Sequence, residues 1–239
     1  MSSPRDPIFG AVVSTSQGDE EHWLSISDLM SGLMIIFLFV SIALMRDAMI
    51  ERDKIKEVAV AYQESQVELY EALMREFRND LKTWDAVIDR ETLAFEFKSP
   101  DVLFDVGKIS LKPAFCTILD SFFPRYLKVL FSFREAIDEV RIEGHTSSQW
   151  NIETPLDEAY FNNMELSQGR TRSVLNYVYY LPAVTDERPW IKANIAAVGF
   201  SSSRIIMDTL GQEDQERSRR VSFRVMTNAE TQIRKILEN

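Results

Sequence analysis

The chain has 239 residues, of which 45% are hydrophobic and 27% are charged, so it can form one or two domains with a substantial core. Its net charge of −10 at pH 7 argues against direct binding of nucleic acid, because phosphates are held by an excess of Lys and Arg. One cysteine and two histidines exclude an internal disulfide framework and argue against a metal centre. No side chains are spaced as a catalytic set, so we expect neither an enzyme nor a bound cofactor.

The chain begins with a polar, turn-rich segment, residues 1–23, which predicts a mostly disordered tail. Residues 24–45 are apolar at 16 of 22 positions and carry one charge. A helix of this length would be about 33 Å long, enough to cross a hydrocarbon core of about 30 Å. We therefore predict a membrane-spanning helix over 24–45. A buried helix of a soluble protein is less favoured, because no nearby segment could cover it on all sides.

Residues 46–90 contain no Gly or Pro and carry eight basic and eleven acidic side chains. Their apolar residues, among them Leu69, Leu73 and Phe77, recur at spacings of three and four, which predicts a helical stalk continuous with the membrane span. The apolar stripe is narrow and irregular. It is typical of a helix that pairs with another helix, most simply with a second copy of the chain, or equally of a solvated linker helix.

Residues 91–230 are predicted to form the globular part, followed by a C-terminal tail at 231–239. Alternating apolar residues predict four strands, at 93–97, 140–144, 191–198 and 219–226. Helical periodicity predicts two helices, Pro113 to Phe133 and Glu165 to Tyr180. Strands separated by helices predict an α+β fold, an α/β sandwich with a mixed four-stranded sheet and helices on one face. Arg219 and Arg220 open the last strand and could form a solvated edge.

Asp28 is the one charged residue within the predicted span. A carboxylate in a membrane helix is costly and is rarely retained without a function. Ser25, Ser31 and Gly32 share its helical face and would allow another helix to approach closely. Asp28 could therefore be an ion or proton site at a helix–helix interface, where burial and protonation alternate. It could equally cap the helix at the membrane surface, with a marginal span that starts at Leu29.

The charges that flank the span predict its orientation. The N-terminal flank carries one Arg and four acids, whereas the C-terminal flank carries Arg46, Arg52, Lys54 and Lys56 together with three acids. The positive-inside rule would place the C-terminal side in the cytoplasm.

The globular part carries several short motifs in a fixed order. They are Val102-Leu103-Phe104-Asp105, Leu111-Lys112-Pro113, Ile142-Glu143-Gly144-His145-Thr146, Asn163-x-x-Leu166-Ser167-x-x-Arg170, Val198-Gly199-Phe200 and Arg219-Arg220-Val221. In order and spacing they resemble the OmpA-like peptidoglycan-binding domain. The run Trp23-Leu24-Ser25-x-Ser27-Asp28-Leu29-Met30-Ser31 is similar to the aromatic-x-x-x-x-Asp-Phe/Leu-Met signature of MotB-class stator subunits. Within that class, the chain most resembles the ZorB family of Zorya anti-phage defence systems.

The resemblance implies a single-pass protein of the bacterial inner membrane with a cytoplasmic N-terminus and a periplasmic C-terminal domain, opposite to the charge bias. Two copies would pair as a homodimer inside a ring of MotA-like (ZorA) membrane subunits. Asp28 would bind the translocated ion, expected to be H⁺, and its cyclic neutralisation would drive rotation. The globular domains would hold the pair to peptidoglycan. The alternative is a passive membrane-anchored wall-binding protein without ion transport.

The same resemblance implies the residues that bind the wall. Arg170 would meet a carboxylate of the diaminopimelate-bearing stem peptide, for which a planar guanidinium is suited, and Thr146, Asn163 and Leu166 would line the same groove. Family members usually have Asp after Gly-His-Thr, where it holds the ammonium of the wall peptide, whereas this chain has Ser147. One of the acids in the long loop that follows could replace that charge, or wall binding could be weak or altered.

Overall fold

The computed structural model describes residues 17–98 and 100–228, and the chain divides into two compact units, Met1–Lys54 and Ile55–Asn239. The first sixteen residues of the predicted N-terminal tail and the predicted tail at 231–239 lie outside the described residues. Residues 17–23, predicted as part of the N-terminal tail, are helical.

Helix α1, Gln17–Phe77, contains the apolar segment. Within the described part of the chain, its window Ser27–Glu57 contains an 18-residue stretch with a mean hydropathy of 2.2, which is long enough to cross a membrane and is not buried. Side chains such as Leu29 and Phe37 are 72% and 71% exposed. An apolar surface of this extent is stable only against lipid or other helices, as a membrane-spanning helix requires.

The second unit is built on one mixed sheet of five strands: β1 Ala86–Ile88, β2 Ala94–Phe97, β3 Ile137–His145, β4 Ile195–Gly199 and β5 Arg220–Thr227. The strand order is β1-β2-β5-β3-β4. All neighbours are antiparallel except β3 and β4, which are parallel. The predicted mixed sheet is confirmed, with the short strand β1 added at its edge.

The connections between the strands are mainly helical: α2 Pro100–Leu103, α3 Pro113–Phe131, α4 Leu156–Tyr179, a 3₁₀ turn Pro182–Val184, α5 Arg188–Asn194 and α6 Gln215–Ser218. Helix α4 begins well before the predicted start at Glu165, so it occupies part of the predicted loop. The strand predicted over 191–198 starts only at Ile195, because Pro189 lies in the first turn of α5 and favours a helix there.

Helices α3 and α4 pack on one face of the sheet, and aromatic rings fill the space beneath α3. The ring of Phe122 lies 4.6 Å from that of Phe95 and 5.0 Å from that of Phe223, between ring centroids. Phe97 meets the same ring edge-on at 5.2 Å. Such edge and tilted contacts add to the free energy of burying the rings.

The end of α1 belongs to this core. Leu69, Leu73 and Phe77 are 2%, 0% and 0% exposed, and the ring of Phe77 lies 5.3 Å from those of Phe95 and Phe122. The sequence placed these residues in a stalk that ends at residue 90. In the structure, this part of the apolar stripe packs against the chain's own sheet and α3, so it is not available to a second copy.

Arg125 fastens α3 to the end of α1. Its Nε donates to Glu76 Oε1 at 2.7 Å, and its Nη2 donates to the Glu76 carbonyl at 2.7 Å and to Asp80 Oδ2 at 2.9 Å. The guanidinium also lies over the ring of Phe77, 4.7 Å from its centroid. Arg125 therefore forms ion pairs with the end of α1 and a cation–π contact at the edge of the aromatic core.

Replacement of Arg125 by Ala removes these contacts. We expect it to lower the free energy of unfolding by about 1–2 kcal/mol, because hydrogen bonds between charged groups that are partly screened from water exceed an exposed ion pair. Thermal unfolding of the full chain in detergent, followed by near-UV circular dichroism, measures the change. Lys128→Ala, at an exposed position of the same helix, is the matched control. Equal losses in the two variants would contradict the prediction.

Candidate functional site

The four residues predicted to bind the wall come together in the structure. Thr146, Asn163, Leu166 and Arg170 all line one groove of about 380 Å³, which we call the α4 groove. Its other lining residues are Phe104, Val106, Gly107, Ser147, Gln149, Trp150, Asn151, Ile152, Gln215 and Arg219. The groove therefore lies where the chain leaves β3, beside the first half of α4.

Two glycines allow α4 to approach the strand ends. A Cβ atom at Gly144 would lie 2.8 Å from the carbonyl oxygen of Ser167 and 2.8 Å from Cγ2 of Thr171. At Gly199 it would lie 2.5 Å from the backbone nitrogen of Gln168. Real Cβ atoms do not approach this closely, so only glycine permits the helix to sit here. This contact explains the glycines of two of the sequence motifs.

The floor of the α4 groove is formed by buried polar groups. Thr146 and Asn163 are 4% and 3% exposed. Asn163 Nδ2 donates to the carbonyl of Ser147 at 3.1 Å and to that of Gln149 at 3.4 Å, and so fixes the loop that follows β3. The backbone of Thr146 donates to the carbonyl of Ser201 at 2.9 Å, whereas its Oγ1 is buried with no hydrogen-bond partner among the described residues.

Arg170 forms one wall of the groove. Its Nε donates to the carbonyl of Lys108 at 3.0 Å and its Nη2 to that of Asp105 at 3.2 Å. The guanidinium lies over the ring of Phe104, 4.8 Å from the centroid. The side chain thus ties the segment after α2 to α4, a structural role that the sequence did not indicate. Its predicted contact with a ligand carboxylate remains a prediction.

A buried charge cluster lies on the other face of the sheet. The side chain of Glu143 is 3% exposed, with Arg204 Nη1 at 3.4 Å, His145 Nε2 at 3.5 Å and Arg224 Nη1 at 4.0 Å from its carboxylate. Burial acts to raise the pKa of Glu143, but His145 and the two guanidinium groups outweigh it and lower that pKa. Burial lowers the pKa of His145, despite its bond to Glu143.

The alternative of a solvated edge at Arg220 is wrong. Strand β5 lies between β2 and β3 in the centre of the sheet, and the side chain of Arg220 is 10% exposed, with its Nε 3.6 Å from Glu96 Oε1. Burial is the largest influence and lowers the pKa of Arg220, although Glu96 and Glu143 oppose it. The alternation of the strand directs this arginine to the polar face of the sheet.

The structure locates the acids around Ser147. Glu213 fixes Ser148, the residue that follows Ser147. Its carboxylate accepts hydrogen bonds from the backbone nitrogen of Ser148 at 2.9 Å and from the Ser148 hydroxyl. The acids of the loop that were considered as replacements do not line the α4 groove; they are Glu153, Asp157 and Glu158, all exposed. Glu213 had no sequence signal, since it lies 65 residues from Ser148.

Asp28 lies inside α1. The helix begins at Gln17, eleven residues earlier, so Asp28 does not occupy the N-terminal cap that one interpretation gave it. Its side chain is exposed, Ser31 and Gly32 are exposed beside it, and a Cβ atom at Gly32 would meet nothing within 4 Å. The carboxylate therefore lies on an open surface with small residues beside it, where a second helix could pack closely.

Several groove residues were not predicted. Trp150, Ile152 and Gln149 lie in a loop without periodicity, and Gln215 lies in the short helix α6. Arg219 was noted as part of a motif and as a possible solvated edge, and it lines the groove. Such residues could be found from sequence only through the fold, because the groove joins segments that are far apart along the chain.

Comparisons with known proteins show which proteins the chain is similar to. No protein-family model matches it. It is 57% identical over 233 residues to the Zorya protein ZorB of Escherichia coli, covering 98% of this chain and 99% of that protein. Among solved structures, a putative MotB-like protein from Desulfovibrio vulgaris matches with a TM-score of 0.49 and 21% identity, covering 69% of this chain and 93% of that one. The cell wall anchor of the T6SS from Pseudomonas aeruginosa matches with a TM-score of 0.44 and 22% identity, covering 65% and 96%.

The apolar helix, the mixed sheet and the motif residues gathered at the α4 groove define a protein with one candidate membrane span and a mixed α/β domain that carries a groove. The 57% identity to the Escherichia coli protein, over nearly the full length of both chains, shows the family of this chain. The chain belongs to the ZorB family of Zorya proteins.

The buried charge cluster predicts a pH dependence of stability. Below about pH 6.5, the ordinary pKa of His, the unfolded chain takes up a proton that the folded chain excludes from His145, so stability falls. The lowered pKa of Glu143 in the folded chain stabilises the fold while the carboxylate is charged, and this stabilisation is lost at still lower pH. We expect the melting temperature to fall from pH 7 to pH 5, with at most about 1.4 kcal/mol per pH unit from one group.

The variant His145→Gln separates this effect from other titrations. Its melting temperature, measured by the same thermal unfolding experiment, should change less between pH 6.5 and 5 than that of the unsubstituted chain. If both chains show the same pH dependence, groups other than His145 are responsible.

Proposed function

We propose that the chain is the MotB-like subunit of an ion-driven, peptidoglycan-anchored motor complex of the bacterial inner membrane, and that it serves as the ZorB component of a Zorya anti-phage defence system. The identity to the Escherichia coli ZorB protein supports the assignment to Zorya. The observation that carries the motor function is the exposed carboxylate of Asp28, within the helix and near one end of its apolar window.

Asp28 would act as the ion site because of its surroundings. A charged carboxylate among apolar side chains is costly, and binding of H⁺ removes the charge. When the neighbouring surface changes between an aqueous path and an apolar contact, the preferred protonation state changes with it. The charged carboxylate would favour the aqueous path, and the protonated carboxyl would favour the apolar contact. Uptake and release of a proton would therefore change which neighbouring surface Asp28 prefers.

The partners follow from the same geometry. The apolar window of α1 is uncovered within the described residues, so it needs lipid and other helices around it. We propose that two copies pair inside a ring of MotA-like ZorA subunits, with the N-terminus in the cytoplasm and the second unit in the periplasm. This orientation is opposite to the one that the positive-inside rule predicts from the flanking charges.

The α4 groove would anchor the complex to the wall. Arg170 offers a guanidinium next to buried hydrogen-bonding groups on Thr146 and Asn163, which suits a carboxylate and amide-bearing stem peptide. Leu166 and the aromatic rings supply apolar contact area for the rest of the ligand. Anchoring holds the subunit fixed while the surrounding ring turns.

The variant Asp28→Asn tests the motor function. It removes the titratable group but keeps the size of the side chain, so we expect loss of phage protection with normal membrane insertion and normal sedimentation with purified sacculi. A plaque assay in cells that carry the complete defence system measures protection. Asp47→Asn, an exposed acid toward the other end of the apolar window, is the matched control and should protect. Full protection by Asp28→Asn would leave a passive wall-binding anchor as the function.

The variant Thr146→Val tests the anchoring site. It replaces a buried hydroxyl that has no hydrogen-bond partner among the described residues by a methyl group of similar size, so the melting temperature should be unchanged or higher. Binding of the full chain to sacculi should weaken about fivefold to tenfold if a ligand uses that hydroxyl. Thr171→Val is the control, since Thr171 Oγ1 donates to the Ser167 carbonyl away from the groove. It should lose stability and keep sacculus binding; unchanged binding by Thr146→Val would exclude the hydroxyl from the site.

A further inference from the structure

The α4 groove is one-sided in charge. Among its lining residues Arg170 and Arg219 are cationic and none carries a carboxylate. The others that face it are apolar or neutral hydrogen-bonding groups. The groove can therefore pair with an anion, but within the described residues it offers no counter-charge to a cation.

Two of the acids near the groove are already engaged. Asp105 Oδ1 lies 3.1 Å from Lys112 Nζ, and the carboxylate of Glu213 accepts two hydrogen bonds from Ser148. Neither side chain lines the groove. Moving either carboxylate toward a ligand would break an existing interaction, so neither is a ready acceptor for an ammonium group.

The remaining surface of the groove suits a neutral, partly apolar group. Val106, Trp150 and Ile152 are 87%, 40% and 102% exposed at its rim. On the floor, Thr146 Oγ1 is buried and has no partner among the described residues. An amide would pack its carbon atoms against the rim and could use the hydroxyl, whereas an ammonium group would lose water and gain no opposite charge.

We propose that the groove selects wall peptides whose distal diaminopimelate amine is acylated, as it is in a cross-link, over peptides in which this amine is a free ammonium. The inference rests on the proposed wall-binding function and specifies its ligand. Acylation removes the positive charge and leaves the carboxylate for the two arginines. The free ammonium is disfavoured because it would lie near two guanidinium groups. This repulsion contributes to the selection as much as any new contact of the acylated amine does.

Two synthetic peptides test the proposal: L-alanyl-D-glutamyl-diaminopimelate with a free distal amine, and the same peptide with that amine acetylated. Isothermal titration calorimetry with the full chain in detergent measures both affinities. We expect the acetylated peptide to bind at least about threefold more tightly. Ser147→Asp, which places a carboxylate in the groove, should shift the ratio of the two affinities toward the free amine by about tenfold. Ser147→Asn, with a similar shape and no charge, should keep the original ratio.

A second variant does not depend on position 147. Arg219→Gln should weaken binding of the acetylated peptide and bring the two affinities closer, because it removes one of the two positive charges. The melting temperature of each variant is measured as well, and a variant that fails to fold is left out. The proposal is then tested by the remaining variants and by the affinities of the unsubstituted chain for the two peptides.

The outcomes separate this inference from the proposed function. Equal affinities, or tighter binding of the free amine by the unsubstituted chain, would overturn the selection while leaving wall binding intact. Binding to sacculi without binding to either peptide would also overturn it, since the ligand would not be this peptide. Failure to bind sacculi as well as both peptides would overturn the proposed anchoring function itself.

Discussion

The close approach of α4 to the ends of β3 and β4 is the constraint on which the candidate site depends. Two glycines, Gly144 and Gly199, provide the space, because any Cβ atom there would overlap the backbone of the helix. With the helix so close, Asn163 reaches the loop after β3 and holds it by two carbonyl groups. The groove is thus a consequence of backbone packing, and the side chains of Asn163 and Arg170 are held in place by hydrogen bonds before any ligand arrives.

The two faces of the sheet have different physical roles. One face is apolar and packs against the aromatic residues of α3 and the end of α1. The other carries charged residues at the centre of the sheet, where Glu143 meets His145 and two arginines at 3.4–4.0 Å. Atoms such as Glu143 Oε1 and Arg224 Nε have no hydrogen-bond partner within the described residues. A cluster of this kind stabilises the domain only while its charges remain balanced, which is why its protonation affects stability.

Much of the fold and part of the site could be predicted from the sequence. The apolar window and three strand patterns were sufficient for the span and the sheet centre. The family resemblance implied that Thr146, Asn163, Leu166 and Arg170 share one groove, and the structure places all four in its lining. The short strand β1 has only three residues, too few for a periodic pattern. Helical periodicity also could not reveal the partner of a helix face. The last apolar turns of α1 were therefore interpreted either as a surface for another copy or as part of a solvated linker helix, whereas they pack against the chain's own core. The loop side chains of the groove depend on long-range folding and carry no local signal.

The last turns of α1 have a mechanical consequence. Because Leu73 and Phe77 are fully buried and Arg125 binds the helix end at 2.7 Å, no slack segment separates these turns from the domain they enter. A pulling or twisting load on this part of the helix is resisted by the aromatic core. Detachment would require opening that core, at a cost close to the whole free energy of unfolding rather than that of a surface loop.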